Sequence, residues 1–157
     1  MQEKEKFMRE AIRLSVETMR SGKGGPFGAV VVKNGKIISQ GFNKVLSSND
    51  PTAHAEIVAI REACKSLNTY ELTGCEIYTS CEPCPMCLGA IYWARFDKIY
   101  FANTRTDAAK IGFDDDFIYK EINLSLAKRK LPLEQICRKE ALKAFEEWEN
   151  KPDKINY

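Results

Sequence analysis

Histidine is nearly absent from this chain: His54 is the only one in 157 residues. A metal site built from several imidazoles is therefore excluded, and any imidazole chemistry must fall at that single position. Net charge is equally scarce. Lys and Arg number 24 against 22 Asp and Glu, a formal +2, so there is little general electrostatic pull on nucleic acid. The tight basic cluster Lys128-Arg129-Lys130 reads as a solvated turn. No apolar run approaches the ~18 residues of a membrane span. The first residues, Met1 to Lys6, carry acids and lead into no apolar stretch of the kind a secretory leader needs. Together these absences point to a cytoplasmic protein with no membrane partner. At 44% hydrophobic and 29% charged residues, the composition is that of one globular domain over 1–157, large enough to bury a core without staples.

What is present is a cluster of cysteines. In the cytoplasm six thiols should stay reduced, so clustered ones suggest metal or catalysis more than disulfides. Three fall in Cys81-Glu82-Pro83-Cys84-Pro85-Met86-Cys87. The other three, Cys64, Cys75 and Cys137, are expected to be small packed residues. About 28 residues before the Cys84/Cys87 pair lies Thr52-Ala53-His54-Ala55-Glu56. One imidazole and two or three thiols suit zinc, which takes nitrogen and sulfur ligands in a tetrahedron. Glu56 is not at a usual second-ligand spacing from His54 and is better placed as a proton carrier beside the metal. With His54, Cys84 and Cys87 as ligands, a fourth position stays open for water. Zinc lowers the pKa of such a water from 15.7 to about 7, worth about 12 kcal/mol toward hydroxide. Adding Cys81 would instead close a Cys3His structural site with no use for Glu56. The X-Pro geometry before Pro83 argues for separating Cys81 from the helical turn.

The hydrophobic pattern predicts a helix over 3–21, with Phe7, Met8, Ala11, Ile12, Val16 and Met19 on its buried stripe. Two β-branched runs, 27–32 and 36–40, flank Asn34-Gly35, a strong hairpin signal. Residues 41–53 read as loop, 54–67 as helix, 76–80 as strand, 85–95 as helix with Pro85 in its first turn, and 98–102 as strand. Beyond Asn103 the pattern suggests short helices at 106–110 and 116–121, a fifth strand over 131–137, and a helix over 140–150 with Leu142, Phe145 and Trp148 on one stripe. The first two strands should pair antiparallel and the later ones run parallel through helical crossovers. The fold class is α/β, with helices on both faces of a mixed sheet of about five strands. His54 and the Cys84/Cys87 pair then start two helices that face one spot, where the helix dipole and the metal both favour thiolate.

The His-x-Glu and Pro-Cys-x-x-Cys pair resembles the cytidine deaminase superfamily, carried here by Thr52-Ala53-His54-Ala55-Glu56 and Pro83-Cys84-Pro85-Met86-Cys87-Leu88-Gly89-Ala90-Ile91. That core is shared with tRNA adenosine deaminases. The flanks resemble bacterial guanine deaminases of the small zinc type: Gly24 to Ala29, Ser48 to Thr52, Tyr92 to Arg95, Thr106 to Ala109, Gly112 to Ile122 and the terminal Tyr157. The resemblance implies a three-layer α/β/α cytidine-deaminase-like fold, one Zn2+ per subunit, and hydrolysis of guanine to xanthine and ammonia. It implies catalytic roles for Glu56 and Asp115. Substrate contacts would come from Asn43, Phe27, Ala55, Asp115 and Tyr157. It also implies a homodimer in which residues about 139–157 cross to the partner, so that Tyr157 helps close the partner's site. Left open are a guanosine or other nucleoside deaminase, a tRNA adenosine deaminase (for which the near-neutral charge offers no RNA footprint) and, outside enzymes, a zinc-stabilised binding module.

Overall fold

A computed structural model describes residues 2–113 and 115–156, in two compact units, Met1–Ile118 and Tyr119–Tyr157. In chain order the elements are α1 (Gln2–Arg20), β1 (Gly28–Lys33), β2 (Lys36–Phe42), α2 (Val45–Ser48), α3 (Ala55–Leu67), β3 (Cys75–Cys81), α4 (Pro85–Trp93), β4 (Lys98–Asn103), α5 (Arg105–Lys110), α6 (Asp116–Ile122), a 3-10 turn (Leu126–Lys128) and α7 (Arg138–Asn150). The sheet of the first unit has the order β2-β1-β3-β4.

Asn34 and Gly35 both take positive φ, 50° and 71°. That is the type I′ geometry whose twist matches the flanking strands, and it makes β1 and β2 an antiparallel hairpin. β3 pairs antiparallel with β1, and β4 runs parallel to β3 after the α4 crossover. The sheet is therefore mixed, as expected, but it has four strands among the described residues rather than about five. Residues 131–137 form no strand. The loop expected over 41–53 is also interrupted, by the single turn of α2.

Alternation along β1 sends its side chains to two cores. Ala29 and Val31 pack with Ala55, Ala59 and Ala63 of α3 and Ile91 of α4, while Val30 and Val32 pack with Phe7 and Leu14 of α1. Helices thus cover both faces.

The buried stripe of α1 differs from the expected one. Phe7, Ala11, Leu14, Ser15 and Thr18 are buried, and Ile12 and Met19 are exposed. The cause is a close approach. A Cβ on Gly28 would stand 2.3 Å from the Ala11 carbonyl oxygen and 2.8 Å from the Ser15 nitrogen. The helix therefore turns its small residues to the sheet. The two buried hydroxyls are satisfied locally, Ser15 Oγ donating to the Ile12 carbonyl and Thr18 Oγ1 to that of Leu14.

A second close approach sets the height of α3. A Cβ on Gly41 would fall 2.0 Å from the Ala55 carbonyl oxygen and 2.6 Å from the Ala59 nitrogen. Both are main-chain atoms, so no rotamer relieves the clash. Gly41→Ala should cost about 3 kcal/mol or more in denaturant unfolding, the upper range for overpacking, and should reduce bound zinc because the start of α3 must move. Unchanged stability would show that the helix has slack at this point.

In the second unit, the Arg129 guanidinium donates to the carbonyls of Ile122 and Leu124, and the Lys130 N–H donates to Glu121. α7 buries none of its residues and exposes Phe145 and Trp148. Cys137, expected to be packed, is exposed and takes a left-handed φ of 52° just before α7.

Candidate metal centre and catalytic cleft

Two helices begin at the same place. His54 is the N-cap of α3 and Cys84 the N-cap of α4, both in extended backbone. Ser, Thr, Asp or Asn usually holds this position. Here His54 makes no side-chain capping bond, so it serves something other than the helix. Cys84 Sγ accepts from the Cys87 N–H at 3.5 Å, which brings the two sulfurs onto one side of the first turn.

His54 Nδ1 lies 3.6 Å from Cys84 Sγ and 3.6 Å from Cys87 Sγ. All three donor atoms fall within 4.8 Å of one another. A tetrahedral zinc with Zn–S of about 2.3 Å and Zn–N of about 2.0–2.1 Å requires a nitrogen–sulfur separation of about 3.6 Å. The donor set therefore fits zinc in both chemistry and spacing. Both cysteines are buried and His54 is half-buried.

The protonation pattern within this cluster is that of a tightly coupled set. Cys84 is held down to about 4, first by the Cys87 thiol donating to it, with help from His54 and against its burial. Cys87 is pushed up, first by that same hydrogen bond and then by burial and the nearby Glu56. Hydrogen bonding to Cys84 raises His54 despite its burial. A zinc held here would need both sulfurs as thiolates, so loading should release protons.

Glu56 begins the first turn of α3 and is buried. Its Oε2 lies 3.4 Å from Cys87 Sγ, and its Oε1 accepts from Thr79 Oγ1 at 3.3 Å. Burial raises its pKa above the ordinary carboxylate range. A carboxyl raised in this way is suited to take a proton and give it back near neutral pH.

A cleft of about 480 Å3 opens over this cluster. His54, Glu56 and Cys84 line it together with Asn43, Phe27 and Asp115, so five of the expected residues outside the two-cysteine motif converge. Asn43 is buried, and its Oδ1 accepts from the Gly25 and Val45 N–H groups at 3.4 and 3.2 Å. Those bonds fix which way its amide faces. Gly24 is required beside it, since a Cβ there would lie 2.2 Å from the Asn43 carbonyl oxygen. Asp115 is half-buried, and its charge raises the pKa values of both His54 and Cys81. Ala55 is fully buried in the core and does not line the cleft. Tyr157 lies outside the described residues.

Two cleft features were not evident from residue pattern. Phe113 meets Phe27 edge-to-face, with ring centroids 4.8 Å apart at 89°, and extends the aromatic wall. Its signal lay only in the Gly112-Phe113 flank. The Glu82 carboxylate accepts from the Arg105 N–H at 3.0 Å at the cleft margin.

Cys81 stands apart from the metal cluster. Its Sγ points to the Thr104 carbonyl at 3.6 Å, and burial pushes its thiol up to about 11. The closed Cys3His alternative is therefore not formed: β3 continues through Cys81, and Pro83 separates it from the first turn of α4. Cys81→Ala should keep one zinc per chain and most activity, at a stability cost of about 1 kcal/mol. Metal analysis checks this, and loss of zinc would restore Cys81 as a ligand.

Residues 1–103 match the family model of the cytidine and deoxycytidylate deaminase zinc-binding region. Over 153 residues the chain is 54% identical to guanine deaminase of Bacillus subtilis (strain 168), covering 98% of each sequence. The X-ray structure of that organism's guanine deaminase superposes with a TM-score of 0.95, again over 98% of both chains. A tRNA-specific adenosine deaminase of Aquifex aeolicus is 46% identical over 99 residues, 63% of this chain and 65% of that protein.

Proposed function

The chain belongs to the cytidine and deoxycytidylate deaminase family of zinc-binding proteins, and we propose on that footing that it hydrolyses guanine to xanthine and ammonia. The observation that carries the substrate is the match to a guanine deaminase at 54% identity over 98% of the chain, where the tRNA-specific adenosine deaminases match 63–75% of it at 38–46% identity. A cleft of about 480 Å3 is within the range of small-molecule sites.

His54, Cys84 and Cys87 would hold the zinc. When bound, zinc supplies a nucleophilic water at neutral pH and polarises the bond under attack. The residues do the rest. Glu56 carries two protons in turn: the first passes from the attacking water to the purine ring nitrogen, where it stays, and the second from the new hydroxyl at C2 to the departing amine, which leaves as ammonia. At C2 a carbon–oxygen bond forms and the bond to the exocyclic nitrogen breaks, so water and guanine become xanthine and ammonia. Asn43 and Asp115 recognise purine edges, with Asp115 assisting proton transfer, and Phe27 with Phe113 covers the ring face. Ala55, whose side chain is buried, would contact the purine through its main chain at the start of α3.

The reading also takes the chain as one cytoplasmic deaminase domain that pairs as a homodimer, with residues about 139–157 exchanged and Tyr157 closing the partner's site. The exposure of Phe145 and Trp148 on a helix that buries nothing supports this.

The test is ammonia release from guanine, guanosine, cytidine and a tRNA anticodon-loop substrate, with zinc measured on the same sample. Guanine should be turned over best. Preference for guanosine or the tRNA substrate would replace the substrate while leaving the zinc chemistry in place.

A further inference from the structure

Glu56 needs one carboxylate oxygen free to work and one held still, and the structure contains a group suited to the second task. Thr79 sits in β3, opposite Ala29 of β1 and Phe101 of β4, and is almost completely buried. Its side chain shares a sheet face with Ile77 and Cys81, by the two-residue alternation of a strand, and this is the face covered by α3. There Thr79 Oγ1 lies 3.3 Å from Glu56 Oε1 and 2.9 Å from the Cys81 carbonyl oxygen. The other carboxylate oxygen, Oε2, faces Cys87 Sγ at 3.4 Å, and so faces the metal cluster.

We propose that Thr79 is a positioning residue for the deamination: its hydroxyl holds Oε1 of Glu56 and thereby assigns Oε2 as the oxygen that carries the proton. A hydroxyl has one hydrogen and two acceptor lone pairs. Toward an ionised Glu56, Thr79 donates to Oε1. When Glu56 is protonated on Oε2, Oε1 is the carbonyl oxygen of the carboxyl group and still accepts the Thr79 hydrogen. The same contact therefore holds Oε1 throughout, with the Cys81 carbonyl at 2.9 Å fixing the hydroxyl from its other side. A valine fits the space and the strand but offers neither bond. The role is distinct from packing, which the methyl group of Thr79 already provides in the core beneath α3.

The inference rests on the deaminase reading, and the experiment separates the two. Zinc content, kcat and KM for guanine are measured for wild type, Thr79→Val and Thr79→Ser. Thr79→Val should keep its zinc and a KM within about twofold while kcat falls roughly 10- to 100-fold, the scale of a misplaced catalytic group. Thr79→Ser, which keeps the hydroxyl, should recover most of kcat. If Thr79→Val turns over guanine as wild type does, or if Thr79→Ser falls as far as Thr79→Val, the proposal is overturned. Should Thr79→Val not fold with its metal, Thr79→Ala against Thr79→Ser gives the same contrast: Ser active with Ala slow supports the hydroxyl, and equal activity overturns it. An inactive wild type would instead remove the deaminase reading.

Discussion

Glu56→Gln yields a folded, zinc-loaded protein whose turnover of guanine falls by at least about 10²–10⁴-fold, the usual contribution of a positioned acid–base group. That is about 3–5 kcal/mol of transition-state stabilisation at 1.36 kcal/mol per factor of ten. The upper end is expected because the proposed cycle uses the carboxylate twice, each time accepting a proton and donating it, first to the ring nitrogen and then to the amine. Gln is nearly isosteric. Its carbonyl can still receive the Thr79 hydroxyl that reaches Oε1 at 3.3 Å, and its amide can donate to the sulfur that Oε2 now faces at 3.4 Å. The buried site is therefore preserved while its main proton carrier is disabled. A binding module built around zinc would be indifferent to the change. Residual turnover above about a tenth of wild type would remove Glu56 from the proton-carrying role.

The second large effect is on the metal. Cys87→Ala should lower zinc affinity by well over about 100-fold, since even losing an outer partner of a ligand costs about 10–100-fold. A protein holding zinc at about 1,000 times its Kd is stabilised by about 4 kcal/mol, which in a chain of this size is roughly 10 °C in Tm. A chelator should therefore lower the Tm of wild type by about that amount and leave Cys87→Ala unmoved. The chelator arm matters because Cys87 is fully buried and its truncation carries a packing cost of its own. One zinc per chain retained in Cys87→Ala would refute the three-donor site.

The parts of this molecule legible in its sequence are those encoded by local rules. Asn34-Gly35 specifies its turn through two positive φ values, and Pro85 marks the first turn of α4 because its missing N–H costs nothing there. The donor pattern His54, Cys84 and Cys87 was readable because each half of the motif begins a helix. Other features depend on partners that sequence does not name. The face of α1 is not decided within the helix, because two overlapping apolar stripes fit it and Gly28, eight residues past its end, chooses between them. The alternating Leu131, Leu133 and Cys137 resemble a strand, yet alternation only offers an apolar edge and cannot supply a neighbour to bond it. Thr79 gave no signal at all: a threonine in a β run needs no explanation until Glu56 is seen beside it. Asn43 and Asp115 came from resemblance, and their convergence on one cleft depends on long-range folding that no local window contains.

The placement of the metal donors at the helix starts has a kinetic meaning as well as a geometric one. The bond that closes the first turn of α3 runs from the Val58 N–H to the carbonyl of His54 at 3.0 Å, and that of α4 from the Leu88 N–H to the carbonyl of Cys84 at 2.8 Å. Starting a helix is its least favourable step, because several residues are fixed for one bond. In this chain the residues that complete those two nuclei are themselves two of the three candidate metal donors. Helix initiation and assembly of the coordination sphere are thus one event, and fraying at either helix start dismantles the cage before it disturbs anything else.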